Sequence, residues 1–248
     1  MTVAASLSLL PAGLPSPAYG VFTTRAGGVS RMPFDTLDLA QHVGDDPADV
    51  VANRARLAVA TGLSPDALVF AEQVHGRGVA VVDGPRPTAT PGVDALVTAT
   101  RGLALVVLAA DCLPVLLVDP VAGVVAAAHA GRQGLAAGVL QATLAAMADL
   151  GASATRTTAV LGPAVCGCYE LPATLADEVG GQVPGSRSTT RAGTASVDVT
   201  AGAGALLRAA GVADVRTVGG CTAEQPHLFF SFRRDGRTGR HAGLVRLA

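Results

Sequence analysis

Residues 103–130 carry the feature that most restricts the fold. Three apolar runs, near 103–110, 114–118 and 123–128, are separated only by Asp-Cys-Leu-Pro and by Asp-Pro-Val-Ala-Gly. A strand with one wet face alternates apolar and polar residues. These runs do not alternate, so they predict strands covered on both faces. The stretch "GDDPADVVANRARLAVATGL" predicts a helix over 47–61, with Asp46 as N-cap, Pro47 at the first helical position, Asp49 in the first turn and Gly62 as the stop. "GLAAGVLQATLAAMADLG" sets Leu135, Val139, Leu140, Leu144, Met147 and Leu150 at helical spacing, which predicts one helix packed on the sheet and ending at Gly151. Two more helices are expected over "PATLADEVGG" and "VDVTAGAGALLRAAGV", the second closing at Gly211. "LVFAEQVHGRGVAVV" reads as a strand pair around Gly76, and "HLFFSFRRDGRTGRHAGLVRLA" as a hairpin about Asp-Gly-Arg-Thr-Gly. Helices mixed with strand clusters and hairpins point to an α+β (mixed α/β) class rather than strict βαβ winding.

The charge pattern narrows the partners. All 18 basic residues are Arg and they nearly balance 19 acidic ones, so no overall field favours nucleic acid or an anionic membrane. Aromatic residues are 3% of the chain and Trp is absent, which disfavours stacking platforms for single strands. Four cysteines, at 112, 166, 168 and 221, are too few and too unevenly spaced for a disulfide framework and are read as reduced thiols. "MTVAASLSLLPAGLPSPAYG" lacks the basic start of a signal peptide, and no uninterrupted apolar run has membrane-span length. The expectation is a cytoplasmic chain that binds neither nucleic acid nor membrane.

Within the apolar block stand Asp111, Cys112 and His129. Cys112 falls where one buried strand ends and His129 where a later one ends; His75, in "QVHG", also precedes a turn. Singly, a buried Cys is usually a small hydrophobe and a strand-end His a hydrogen-bonder. Together they form a His2Cys set of the kind that catalytic zinc uses, three ligands and one open position. Burying the Asp111 carboxylate costs several kcal/mol unless it is paired, so it is expected either to orient an imidazole or to take a proton during chemistry. The residues alone leave a second chemistry open, a cysteine hydrolase with Cys112 as nucleophile and His129 as base. Arg25 lies in a Gly-rich loop. "SFRRDGRTGR" gathers Arg233, Arg234, Arg237 and Arg240, enough guanidinium to hold a phosphate or carboxylate. The Cys-x-Cys of "VCGCYEL" can bind metal, but with no second pair beside it in sequence a structural role is expected for Cys166, Cys168 and Cys221.

In order along the chain, "FTTRAGGVS", "HVGDDP…NR", "QVHG", "DALVT", "ADCLPVLLVDP", "AAHAG", "GPAVCGCYEL" and "CTAEQPHLFFSFRRDGRTGR" resemble the laccase-domain, or polyphenol-oxidase-like, family. Its members are also described as zinc-containing purine nucleoside phosphorylases and as peptidoglycan editing factors. The resemblance covers about Val21 to the end, which implies one domain over 21–248 after an extension over 1–20. It further implies a layered sandwich of helices and mixed sheets, similar to the catalytic domain of cytotoxic necrotising factor. Zinc would sit on His75, Cys112 and His129, with copper as a possible substitute.

The implied activity is phosphorolysis of adenosine, inosine, guanosine and methylthioadenosine, with adenosine deamination, by a monomer whose partners are nucleoside and phosphate. On this reading Asp111, Cys112 and Arg25 are the expected catalytic residues, and Arg25, Arg132, Arg233, Arg234 and Arg240 the expected substrate and phosphate ligands. The alternatives are a hydrolase editing peptidoglycan precursors and a copper polyphenol oxidase (laccase). With five His in all, the chain is poorly supplied for several coppers. Three positions depart from the family pattern. Asp38 stands where Asn is usual, which puts a carboxylate at an expected base or ribose contact. Arg132 replaces the Trp that follows His-Ala-Gly, and Phe232 replaces a Tyr.

Overall fold

The computed structural model describes residues 7–248. In chain order, β1 (Leu9–Pro11) and β2 (Ala18–Thr23) lead to α1 (Pro47–Ala60), then β3 (Leu68–Phe70), β4 (Val79–Val81), β5 (Ala95–Thr98), β6 (Ala104–Ala109), β7 (Leu113–Asp119) and β8 (Val124–Ala130). There follow α2 (Arg132–Ala137), α3 (Val139–Asp149), β9 (Thr158–Leu161), β10 (Tyr169–Glu170), α4 (Ala173–Gln182), β11 (Arg187–Thr189), β12 (Ala195–Val197), α5 (Val199–Ala209), β13 (Asp214–Thr217), α6 (Phe232–Asp235) and β14 (His241–Leu247). A five-stranded sheet runs β1-β2-β14-β6-β3, a six-stranded sheet β13-β9-β7-β8-β5-β4, and a small third sheet β10-β12-β11. Parallel and antiparallel pairs mix in both large sheets, so the class is α+β.

The continuous apolarity of the central runs has a direct structural cause. Along β7, Leu116 and Val118 join a core with Phe22, Leu105, Val107 and Val245 of the first sheet. Val115 and Leu117, pointing the other way, pack with Leu135, Val139, Leu140 and Met147 of α2 and α3 and with Ala203 and Leu207 of α5. The alternate residues of β6, Ala104, Val106 and Leu108, meet Leu57 and Ala58 of α1. The molecule is thus layered helix, sheet, sheet, helix, and a strand in either inner layer has no wet face.

Three local expectations are corrected. The helix over 134–150 is two helices, because Gly138 takes a left-handed conformation (φ 89°) and turns the chain between α2 and α3. The segments flanking Gly76 do not pair with each other: β3 pairs with β6 and β4 with β5, in different sheets. The C-terminal segment is not a hairpin, since residues 232–235 form the short helix α6 and β14 pairs with β2 and β6 instead. Helix α1 has the expected start, with the Asp46 carboxylate accepting the N–H of Ala48. Of the stretch 1–20, β1 and the start of β2 extend the first sheet, while residues 1–6 lie outside the described residues. Among the described residues, no helix is long and apolar enough to cross a membrane.

Candidate metal centre

One end of the six-stranded sheet gathers the chemistry. β7 and β8 are antiparallel with Pro114 opposite His129, so the residue before β7, Cys112, meets the end of β8. β5 starts beside the same end, Ala95 opposite Ala128, which brings in Asp94. His75 arrives from the loop before β4. The ligand atoms of His75, Cys112 and His129 all lie within 4.8 Å of one another, and the two imidazole rings meet edge to face with centroids 4.9 Å apart. Two imidazoles and a thiolate are a donor set suited to zinc or copper. Gly131 leaves room for them: a Cβ there would fall 2.7 Å from the Cys112 sulfur and 3.4 Å from the His75 ring.

The imidazole-orienting role expected for Asp111 belongs to Asp94. Its Oδ1 lies 2.9 Å from His129 Nδ1 and accepts the His75 backbone N–H at 2.9 Å, while Oδ2 accepts the N–H groups of Gly76 at 2.7 Å and Val74 at 3.3 Å. One buried carboxylate therefore fixes the ring of one candidate ligand and the backbone of the other, leaving His129 Nε2 free to face Cys112 and His75. Burial works to raise the Asp94 pKa, but the hydrogen bonds from His129 and Gly76 win and hold it below the usual carboxylate value. His75 is held at φ 60°, a left-handed conformation that costs a side-chain-bearing residue of order 1–3 kcal/mol and persists where surrounding contacts enforce it. Asp94 supplies that enforcement. It starts the "DALVT" motif, and its signal was an acid bordering a buried run, the same signal that singled out Asp111.

Cys112 and His129 polarise each other. Burial opposes the thiolate, yet the charge of His129 and hydrogen bonds from both histidines bring the Cys112 pKa down to about 6. Burial likewise opposes a charged His129, and the Cys112 thiolate and Asp94 outweigh it, raising its pKa to about 9.

Asp111 is also strained, at φ 95°, and both its oxygens are used: Oδ1 accepts the Thr222 hydroxyl and Oδ2 the Arg233 backbone N–H, each at 2.6 Å. It ties the strand end carrying Cys112 to the start of α6.

Above the centre opens a cleft of about 1040 Å³, lined by His75, Asp111, Cys112 and His129 together with Arg132, Arg233 and Arg240. Sequence reasoning missed Arg54, His42 and Phe70 on the same wall; Arg54 lies over the Phe70 ring at 3.8 Å. Arg132 Nε is buried with no protein partner. Arg233 lies over Tyr169, and Arg240 over Phe232. Arg25 and Arg234 are not brought into the cleft. Arg25 pairs with Asp35 at 3.1 Å and donates to the Pro226 carbonyl, while Arg234 pairs with Asp235 and donates to the Thr222 and Phe229 carbonyls. Arg237 donates to the Gly44 carbonyl, away from the site. Asp38 does not line the cleft either; it is fully buried, and its Oδ1 accepts the Ala40 and Arg240 backbone N–H groups.

Comparison with known proteins places these features in context. The model of the family described as "Multi-copper polyphenol oxidoreductase laccase" matches residues 19–248. The chain is 57% identical over 231 residues to "Purine nucleoside phosphorylase ORF3" of Streptomyces griseus, covering 92% of this chain and 94% of that one. It is 55% identical over 226 residues to "Purine nucleoside phosphorylase Rv2149c" of Mycobacterium tuberculosis, covering 91% and 90%. Among solved structures, YlmD from Geobacillus stearothermophilus superposes with a TM-score of 0.88 at 33% identity, over 100% of this chain and 98% of that one.

Proposed function

The chain belongs to the multi-copper polyphenol oxidoreductase laccase family, and from that premise we propose that it is a zinc-dependent purine nucleoside phosphorylase that also deaminates adenosine. One observation carries the reading: a His2Cys centre at the floor of a cleft whose walls present Arg132, Arg233 and Arg240. The names of its relatives in Streptomyces griseus and Mycobacterium tuberculosis support the phosphorolytic half. The donor set fits a metal, because His129 is already oriented by Asp94 and Gly131 keeps the space beside Cys112 clear. His75, Cys112 and His129 would hold zinc, which would supply the Lewis acidity that activates water near neutral pH.

The remaining chemistry is assigned to the chain's own side chains. Breaking the glycosidic bond develops positive charge on the ribose, so phosphate must be held against the anomeric carbon with its own charge balanced. Arg132, with a buried and unpartnered Nε, is best placed to donate to it, with Arg233 and Arg240 closing the same wall. Arg25 and Arg234, committed to Asp35 and Asp235, are left out. The half-buried Tyr169 and the exposed Phe232, each with one face under an Arg, offer the purine apolar ring surface. In deamination, Asp111 moves the proton from the attacking water to the departing amine. Nucleoside and phosphate are the proposed partners, and the proposed acting form is a monomer in the cytoplasm.

The test is incubation of metal-quantified protein with adenosine, with and without phosphate, and identification of products by mass. Adenine and ribose 1-phosphate are expected only with phosphate, and inosine without it; both should vanish in Cys112→Ala. No product from protein carrying one zinc per chain at this centre would overturn the reading.

A further inference from the structure

Three of the four cysteines meet outside the cleft. Cys166 and Cys168 flank Gly167 in the turn after β9, and Cys221 follows β13, which runs parallel to β9 so that both strands end on the same side. The three sulfurs lie within 4.8 Å of one another, and those of Cys168 and Cys221 are 3.5 Å apart. Thiolates bound to zinc at about 2.3 Å in tetrahedral geometry stand about 3.8 Å from each other, a separation inside this range. A disulfide would use two of the three sulfurs and leave the third idle. A metal ion uses all of them.

The backbone holds the cluster in place. A parallel bridge joins Ala164 to Cys221, and the Thr222 N–H donates to the Ala164 carbonyl at 3.0 Å. The Cys166 N–H donates to the Cys221 sulfur at 3.3 Å, a contact that stabilises a thiolate ligand. Crowding fixes both turns: a Cβ on Gly167 would meet Ser188 Oγ at 2.8 Å, and one on Gly220 would meet the Gln225 side chain at 2.7 Å. All three cysteines are half-buried, so an ion has a route in from solvent.

We propose that Cys166, Cys168 and Cys221 form a second metal site, independent of the His2Cys centre, that takes a thiophilic d10 cation, Zn²⁺ or Cu⁺. Binding replaces the thiol protons, which pass to solvent, and changes no oxidation state. The site braces the cleft. Val165, beside Cys166, donates its N–H to the Asp111 carbonyl at 2.9 Å, and Thr222, beside Cys221, donates its hydroxyl to the Asp111 carboxylate. The backbone carbonyl of Glu170, two residues past Cys168, accepts from the Arg233 guanidinium at 2.6 Å. An ion tying the two turns together would hold Asp111 and Arg233 in register over Cys112.

The experiment uses the full chain, stripped of metal under reducing conditions and titrated anaerobically with Zn²⁺ or, separately, with Cu⁺. Native mass spectrometry should find two ions per chain in the wild type, one in Cys168→Ser, and one in Cys112→Ser. A readout without any variant guards against misfolding: alkylation mapped by peptide mass should slow at least tenfold at Cys166, Cys168 and Cys221 once the second equivalent is added. The ion that better resists a chelator identifies the preferred metal. A wild type that saturates at one ion, or alkylation of the three cysteines that metal does not slow, would overturn the proposal.

Discussion

At the scale of single residues, the site is organised by a carboxylate that touches no substrate. Asp94 faces four donors with two oxygens, and Asp94→Asn would turn an amide N–H toward backbone N–H groups that need an acceptor. Metal affinity at the His2Cys centre is expected to fall 10- to 100-fold, measured by competition with a chromogenic chelator, while an unchanged affinity would assign the orientation of His129 to packing alone. Cys112 offers a second check. Its pKa, lowered to about 6, makes it a thiolate above that pH in metal-free protein. Burial and the neighbouring thiols push Cys166 and Cys168 the other way. Iodoacetamide should therefore label Cys112 first, with a rate that rises through about pH 6 and levels off by pH 8. A midpoint near 9 would mean that His129 does not carry charge in the metal-free state.

At the scale of elements, the useful surprise is the break at Gly138. Periodicity across 135–150 is real, since Leu135, Val139, Leu140 and Met147 are all buried in one core, so the sequence reads as one helix. The break lets α2 start immediately after β8 and set Arg132 in the cleft with His75, Cys112 and His129 while α3 lies along the sheet. Gly138→Ala would force a Cβ into φ 89°, and is expected to cost about 1–2 kcal/mol in denaturant unfolding and to weaken phosphate binding through Arg132. The misread strand pair at Gly76 has a similar origin. Alternation identified both segments, but strand pairing is a long-range choice, and β3 and β4 found partners in different sheets.

At the scale of the whole molecule, Asp38 shows what burial between layers costs. Its carboxyl is inaccessible and its Oδ2 has no partner; burial outweighs its backbone hydrogen bonds and raises its pKa to about 6. A raised folded-state pKa means that the folded chain holds this proton more tightly than the unfolded one. The penalty is absent below about pH 4, grows as pH rises to about 6, and then stands at about 3 kcal/mol. Asp38→Asn, which replaces the carboxylate with a neutral amide of the same shape, is expected to raise stability by about 1–3 kcal/mol at pH 7.5 and to leave it unchanged at pH 4. Denaturant melts at the two pH values would show it; equal effects at both would place the cost elsewhere.

The sequence by itself determined the strands of the central block, the start of α1, the α+β class and the three residues, His75, Cys112 and His129, that converge at the candidate metal centre. Those are local or compositional signals: continuous apolarity, cap chemistry, and chemically costly residues set in an apolar run. Only the tertiary structure decided that Asp94 rather than Asp111 orients His129, that Arg25 and Arg234 turn away from the cleft while Arg54 enters it, and that Cys221 joins Cys168 across 53 residues and Cys166 across 55. Each of these depends on which strand ends lie side by side. That order is fixed by the packing of whole sheets, a balance summed over many contacts between residues far apart in the chain and written at no single position.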